Sequence, residues 1–296
     1  MALLNGIYPA VPTPMSADGS SIALDRIKPV CDILFQDGVA GVFICGTTGE
    51  GPSLTAEEKL DLIQETVRAV DGRGQVIAQI LCADQKGTLR VARIAPKMGI
   101  TAISIMQPCF YGCDEEAQYQ YLSRIAEAVN EFPLYLYNIP QCSGNDLPNP
   151  VLDRLLKKFP QIRGIKESGS YEKMQSWLPF QSEHFQVMSG IDVEVCNLLE
   201  KGGKAAVAST ANFQAKHFVK LFEFANKQDW EQAQGVQRQI NRLVEILDQR
   251  NIIAQIKEYY RMRGIDLGGV RLPLRSLHQE EVRELRKNLK ELNLVE

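Results

Sequence analysis

The chain is poor in the residues that most often announce a metal site. Its three histidines, His184, His217 and His278, are widely separated, with no His-x-x-His or His-Glu-x-x-His spacing. No metal and no cofactor are therefore expected. Seven cysteines stand at 31, 45, 82, 109, 113, 142 and 196, an odd number with no Cys-x-x-Cys pair. That excludes a zinc ribbon and a thioredoxin-like motif. Cys45 and Cys82 sit inside apolar runs of strand type, so the set reads as reduced, mostly buried thiols. No apolar run approaches the ~18 residues that span a bilayer. The stretch Met1–Pro9 lacks a charged leader and a clear cleavage site. A soluble, cytoplasmic protein is expected. Thirty-three basic against 36 acidic residues leave a net charge of −3. So small an imbalance gives no footprint for nucleic acid or an anionic membrane. Gly72-Arg-Gly74 lacks the third glycine of a dinucleotide fingerprint.

What is present is an alternation. The 296 residues are 45% hydrophobic and 23% charged, an ordinary globular balance. Apolar runs of strand length occur at Gly6–Val11, Ala40–Cys45, Val76–Leu81, Ala102–Met106, Leu134–Tyr137, Ile162–Lys166, Phe185–Ser189 and Ala205–Ser209. Segments of helical spacing lie between them. Thr55-Ala-Glu-Glu58 has the form of a capping box and opens a stripe of Leu60, Ile63, Val67 and Val70. Asp71-Gly72 reads as that helix's stop. Asp114 reads as the cap of a helix carrying Tyr121, Ile125 and Val129.

Strands alternating with helices imply parallel pairing and right-handed crossovers. A doubly wound open sheet and a closed (β/α)₈ barrel both fit. Eight strand candidates within the first ~210 residues favour the barrel. Residues 1–225 are read as the barrel. Residues 226–296 are read as a helical extension packed on it, the chain from Phe213 onward being helical throughout. No Gly/Ser-rich linker divides them.

In such a barrel the active site forms at the C-terminal ends of the strands. Lys166 ends the sixth strand, where burial favours a neutral amine able to attack a carbonyl and form a Schiff base. The plainer alternative is a lysine paired with Glu167. Tyr137 ends the neighbouring strand and can relay a proton; alternatively it is a core tyrosine. Gly46-Thr-Thr-Gly-Glu50 offers hydroxyls and turn amides to an anion, and a carboxylate suits it better than a phosphate because no Gly-Lys-Ser/Thr follows. Otherwise it is only a strand-to-helix turn.

Taken together, Pro12-Thr-Pro14, Gly46–Glu50, Tyr137-Asn-Ile-Pro140, Gly164-Ile-Lys-Glu167, Ser189-Gly190 and Arg271-Leu-Pro273 resemble the dihydrodipicolinate synthase/N-acetylneuraminate lyase family. The resemblance covers nearly the whole chain. It implies a pyruvate-dependent class I lyase on a (β/α)₈ barrel, usually a homotetramer built as a dimer of dimers. Lys166 matches the Schiff-base lysine and Tyr137 the relay tyrosine. Thr47 and Thr48 match the pair that serves the relay and holds the pyruvate carboxylate. Val207 falls where a backbone carbonyl faces the site, and Gly190 falls in the matching Ser-Gly pair.

The departures bear on the second substrate. The family's synthases place an arginine where this chain has Cys142, and a thiol cannot replace a bidentate guanidinium. Losing that bond costs ~1.5–3 kcal/mol. The synthases also lend a tyrosine across an interface; here Phe110 holds the aligned position and Tyr111 follows. The sialic-acid lyases favour a threonine where Ser168 stands, and an Asp-Glu pair where this chain has Asp192-Val193. The expectation is an aldolase or dehydratase acting on a 2-oxo acid, either by aldol cleavage and condensation with pyruvate as the keto component or by dehydration. A 2-keto-3-deoxy sugar acid fits it best. Ser168, Asp192, Ser209 and Tyr111 are candidates for holding the second substrate. The alternatives are a 4-hydroxy-tetrahydrodipicolinate synthase, an N-acetylneuraminate lyase, or a non-catalytic 2-oxo-acid-binding protein.

Overall fold

A computed structural model describes residues 3–296; Met1 and Ala2, the start of the stretch read for a leader, lie outside the described residues. Eight strands form one parallel sheet: β1 (Gly6–Pro9), β2 (Gly41–Ile44), β3 (Gln75–Gln79), β4 (Ala102–Met106), β5 (Leu134–Asn138), β6 (Ile162–Glu167), β7 (Gln186–Ser189) and β8 (Ala205–Ala208). The ladder runs β1-β8-β7-β6-β5-β4-β3-β2. A parallel bridge from Ala10 to Phe43 brings its two ends together, with Val11 N donating to the Phe43 carbonyl at 2.9 Å. The (β/α)₈ barrel is the observed fold. Both faces of the strands are covered, which is why β4, Ala-Ile-Ser-Ile-Met, is buried at every position.

The crossovers and the C-terminal part supply twelve helices among the described residues: α1 (Ile27–Gln36), α2 (Ala56–Val70), α3 (Gln85–Ile94), α4 (Glu115–Val129), α5 (Pro140–Ser143), α6 (Asn149–Lys158), α7 (Tyr171–Trp177), α8 (Val195–Glu200), α9 (Ala211–Asn226), α10 (Trp230–Ile246), α11 (Ile252–Met262) and α12 (Gln279–Glu291). The capping box at Thr55 and Glu58 is formed, and Asp71 closes α2 in the left-handed region. Asp114 caps α4 by accepting from Ala117 N at 2.8 Å. The inner face of α2 is rotated from the expected stripe. Ile63 and Val70 are buried, but Leu60 and Val67 are half-buried, and Lys59 and Leu62 turn inward. The inward-turned Lys59 donates from its ammonium to the Gly51 carbonyl at 2.6 Å.

Three further expectations are corrected. The second strand ends at Ile44, because Cys45 takes φ +57° and leaves the ladder. Cys82 likewise lies beyond β3, and Cys142 is exposed, whereas Cys31, Cys45, Cys82 and Cys196 are buried. The C-terminal part is not helical throughout. Residues 263–278 form an irregular strap between α11 and α12. Gly268 permits it: at φ +73° it passes so close to Met15 that a Cβ would lie 1.9 Å from the Met15 carbonyl oxygen.

The apolar core runs without a break from the barrel into Leu243 of α10, Tyr260 of α11 and Leu289 of α12. Among the described residues no helix is long and apolar enough to cross a membrane.

Candidate active site

The register of β5 on β6 sets Tyr137 directly beside Lys166, and Asn138 beside Glu167. Successive strand residues face opposite sides. Lys166 and Tyr137 therefore share one face, and Glu167 and Asn138 share the other. Glu167 is fully buried there, and burial pushes its carboxyl above the usual range. It accepts from Asn138 Nδ2 at 2.9 Å and from Ser170 N at 3.1 Å. It is therefore not the partner of Lys166. The lysine, 6% exposed, donates instead to Ser168 Oγ at 2.8 Å, and that hydroxyl donates to the Gly190 carbonyl at 3.1 Å. Its Nζ lies 3.8 Å from the centre of the Tyr137 ring. Gly190 is required beside it, since a Cβ there would stand 2.7 Å from Lys166 Nζ and 2.0 Å from Ser168 Oγ.

The turn after β2 supplies the third group. Tyr137 Oη lies 3.2 Å from Thr47 Oγ1. Thr48 is 7% exposed and makes no hydrogen bond within the described residues, so its hydroxyl and amide are left for a ligand. The turn is held in a sparsely populated conformation, with Cys45 at φ +57° and Glu50 at φ +55°. Its supports are distant in sequence. Thr13 Oγ1 donates to the Gly49 carbonyl at 2.6 Å. Glu50 pairs with Lys257 of α11 at 2.6 Å and accepts from Arg271 N at 2.7 Å.

These side chains open into one cavity of about 440 Å³. It collects Lys166, Tyr137, Thr47, Thr48, Val207, Gly190, Ser168, Asp192 and Ser209. Nine of the ten predicted site residues thus meet at the C-terminal mouth of the barrel. Tyr111 does not. Its ring is 74% exposed, stacked edge-on against an 89% exposed Phe110, and it is not part of the cavity wall. Among the described residues no cluster of three or more His, Cys, Asp or Glu could hold a metal ion.

The sequence profile of the Dihydrodipicolinate synthetase family matches residues 3–292. The chain belongs to this family. Its members are lyases. The chain is 30% identical to the 4-hydroxy-tetrahydrodipicolinate synthase of Bacillus subtilis, over 96% of this chain and 97% of that one. A solved dihydrodipicolinate synthase from Bacillus anthracis superposes with a TM-score of 0.90 at 26% identity, covering 98% of this chain and 99% of that one. The sialic acid aldolase of Ruminococcus gnavus shares the fold, with a TM-score of 0.90 at 24% identity over 98% of this chain and 97% of that one.

Within this dihydrodipicolinate synthetase family member, several wall residues were not foreseen from the sequence. Thr210 donates to Asp192 Oδ2 from its amide at 2.8 Å and from its hydroxyl at 2.6 Å. Burial pushes the Asp192 carboxyl up, opposed by these bonds and by Lys166. Phe43, Ile139 and Gln141 line the barrel side, and Val244, Gln249, Ile252 and Ile253 line the outer side. The last four lie at the end of α10, the start of α11 and the link between them. No local pattern marks them, because only the tertiary fold lays that turn over the barrel mouth.

Proposed function

We propose that this protein is a Schiff-base-forming lyase that makes or breaks the bond between a 2-oxo acid and an aldehyde, with pyruvate as the keto component. The observation that carries the reading is the Lys166–Tyr137–Thr47 arrangement in one cavity. Lys166 Nζ adds to the keto carbon, and loss of water gives the imine. Tyr137, its hydroxyl steadied by Thr47, moves the protons of carbinolamine formation and dehydration. Thr48 holds the carboxylate through its unpaired hydroxyl and amide, while Val207 and Gly190 line the cavity beside it. Loss of a C3 proton from the imine gives an enamine. Its C3 attacks the aldehyde carbon, the aldehyde oxygen takes a proton, and hydrolysis of the new imine frees Lys166. Cleavage runs the same steps backwards. Ser168 orients the lysine through its bond to Nζ, while Asp192 and Ser209 face the second component.

The proposal extends to a homotetramer in the cytoplasm, with residues 1–225 as the barrel and 226–296 as its extension. The adjacent, exposed Phe110 and Tyr111 rings support assembly, since large apolar surface of this kind favours burial at an interface. Lys166→Ala is the test. It is expected to abolish turnover of a 2-oxo acid while leaving the thermal transition within a few degrees of wild type. Full turnover in a folded Lys166→Ala protein excludes the mechanism.

A further inference from the structure

We infer that the aldehyde component is uncharged and predominantly apolar. The inference rests on the Schiff-base reading above and adds the chemical class of the second substrate. Pyruvate alone does not fill a cavity of about 440 Å³. Gln141, Cys142, Asp192, Ser209, Thr210 and Gln249 line part of the wall, and Ile139, Ile191, Val193, Val244, Ile252 and Ile253 form an apolar part of it. Four of these, Ile191, Val193, Val244 and Ile252, are only half-buried and present apolar surface to the opening. Covering that surface with an apolar chain removes it from water, which is favourable.

The charges point the same way. Among the described residues, Lys166 is the one cationic side chain in the cavity wall, and the proposed reaction uses it, and Asp192 is the one anionic side chain there. Arg250, beside the wall residue Gln249, is turned to solvent at 94% exposure and lies 3.8 Å from Asp248. An aldehyde with a second carboxylate thus meets an acid and no second cation.

A polyol meets acceptors here but few free donors, because the hydroxyl and amide donors of the wall are already engaged. Ser209 Oγ donates to Asp192 Oδ2 at 3.3 Å, beside the two bonds from Thr210. Gln141 Nε2 donates to the Ser168 carbonyl at 2.6 Å, and Gln249 Nε2 to the Val244 carbonyl at 3.3 Å. A chain of hydroxyls entering this space can donate to the Asp192 and glutamine oxygens but finds few donors in return, so its partners are fewer than those it had in water. Of the candidates for holding the second substrate, Ser168 and Ser209 already donate their hydroxyls, to the Gly190 carbonyl and to Asp192 Oδ2.

The experiment pairs pyruvate with three four-carbon aldehydes, butanal, 4-oxobutanoate and erythrose, on the full-length protein. Product is followed by mass spectrometry and rate by pyruvate loss. Borohydride trapping with pyruvate alone runs alongside and reports on the Schiff base independently of any aldehyde. The expected result is a Lys166 adduct, with kcat/KM for butanal at least about tenfold above the other two. Cys142→Arg places a cation in the wall and is expected to raise kcat/KM for 4-oxobutanoate relative to butanal by about tenfold or more. An adduct together with 4-oxobutanoate or erythrose equal to or better than butanal overturns the inference and leaves the mechanism standing. So does an adduct with no turnover of butanal. Absence of an adduct removes the Schiff-base reading and this inference with it.

Discussion

Replacing Lys257 by methionine is expected to loosen the turn that carries Thr47 and Thr48. The ammonium of Lys257 lies 2.6 Å from Glu50 Oε1, with the two side chains 3% and 0% exposed. It also donates to the Gly269 carbonyl. Burial draws the lysine's pKa down, and the Glu50 carboxylate works against that shift. The substitution keeps the bulk of the side chain and removes the charge. Glu50 is then a buried anion whose remaining partner is Arg271 N at 2.7 Å. Breaking a buried pair on one side costs ~3–5 kcal/mol. For a chain of this size that lowers the thermal midpoint by roughly 10 °C. Adding Glu50→Gln to Lys257→Met removes the stranded charge and keeps an acceptor for Arg271 N. The double variant is expected to recover more than half of the loss. Urea denaturation followed by circular dichroism measures all three proteins with wild type. A single variant that costs less than about 1 kcal/mol, or a double variant no more stable than the single, refutes the reasoning. Because Glu50 closes the turn bearing Thr48, KM for the 2-oxo acid is expected to rise in the single variant.

Tyr137→Phe removes the hydroxyl proposed above as the proton relay and leaves the ring against Lys166. It is expected to lower kcat by about 10²–10⁴-fold while the protein still folds, and steady-state assays with a matched thermal melt check this. Glu58 receives two bonds from Arg271, at 2.8 and 2.7 Å, and these hold its carboxyl below the ordinary value of 4.5. A depressed carboxyl stabilises the fold above its unfolded pKa, and that contribution is lost as pH falls through the folded value. Glu58→Gln is therefore expected to cost about 1 kcal/mol at pH 7, with the gap to wild type closing as pH is lowered below 4.5. A gap that stays constant down to pH 2 contradicts the assignment.

The strands were legible because both faces of a barrel strand are covered, so each reads as an apolar run. Their ends were less so: Cys45 looks like a strand residue and leaves the ladder by a left-handed turn. Lys166 and Tyr137 were legible as cavity residues because each places a polar group at the end of an apolar strand. The choice between Glu167 and Ser168 as the lysine's neighbour followed from strand alternation once the register was known. The supports of the Thr47–Thr48 turn were not legible. Glu50 meets Lys257 across 207 residues and Arg271 across 221, and nothing local announces either pairing. The same holds for Val244, Ile252 and Ile253, whose place in the cavity wall exists only after α10 and α11 close over the barrel. The strap at residues 263–278 hid in a sequence rich in helix formers on either side, where the glycines at 264, 268 and 269 were its signal.

The central claim is that Lys166 forms an imine with a 2-oxo acid. Incubation with pyruvate, reduction with borohydride, and peptide mass mapping test it most directly. The account predicts a single reduced adduct on the peptide containing Lys166, absent in Lys166→Ala. An adduct on another lysine, or none with pyruvate or any longer 2-oxo acid, contradicts it.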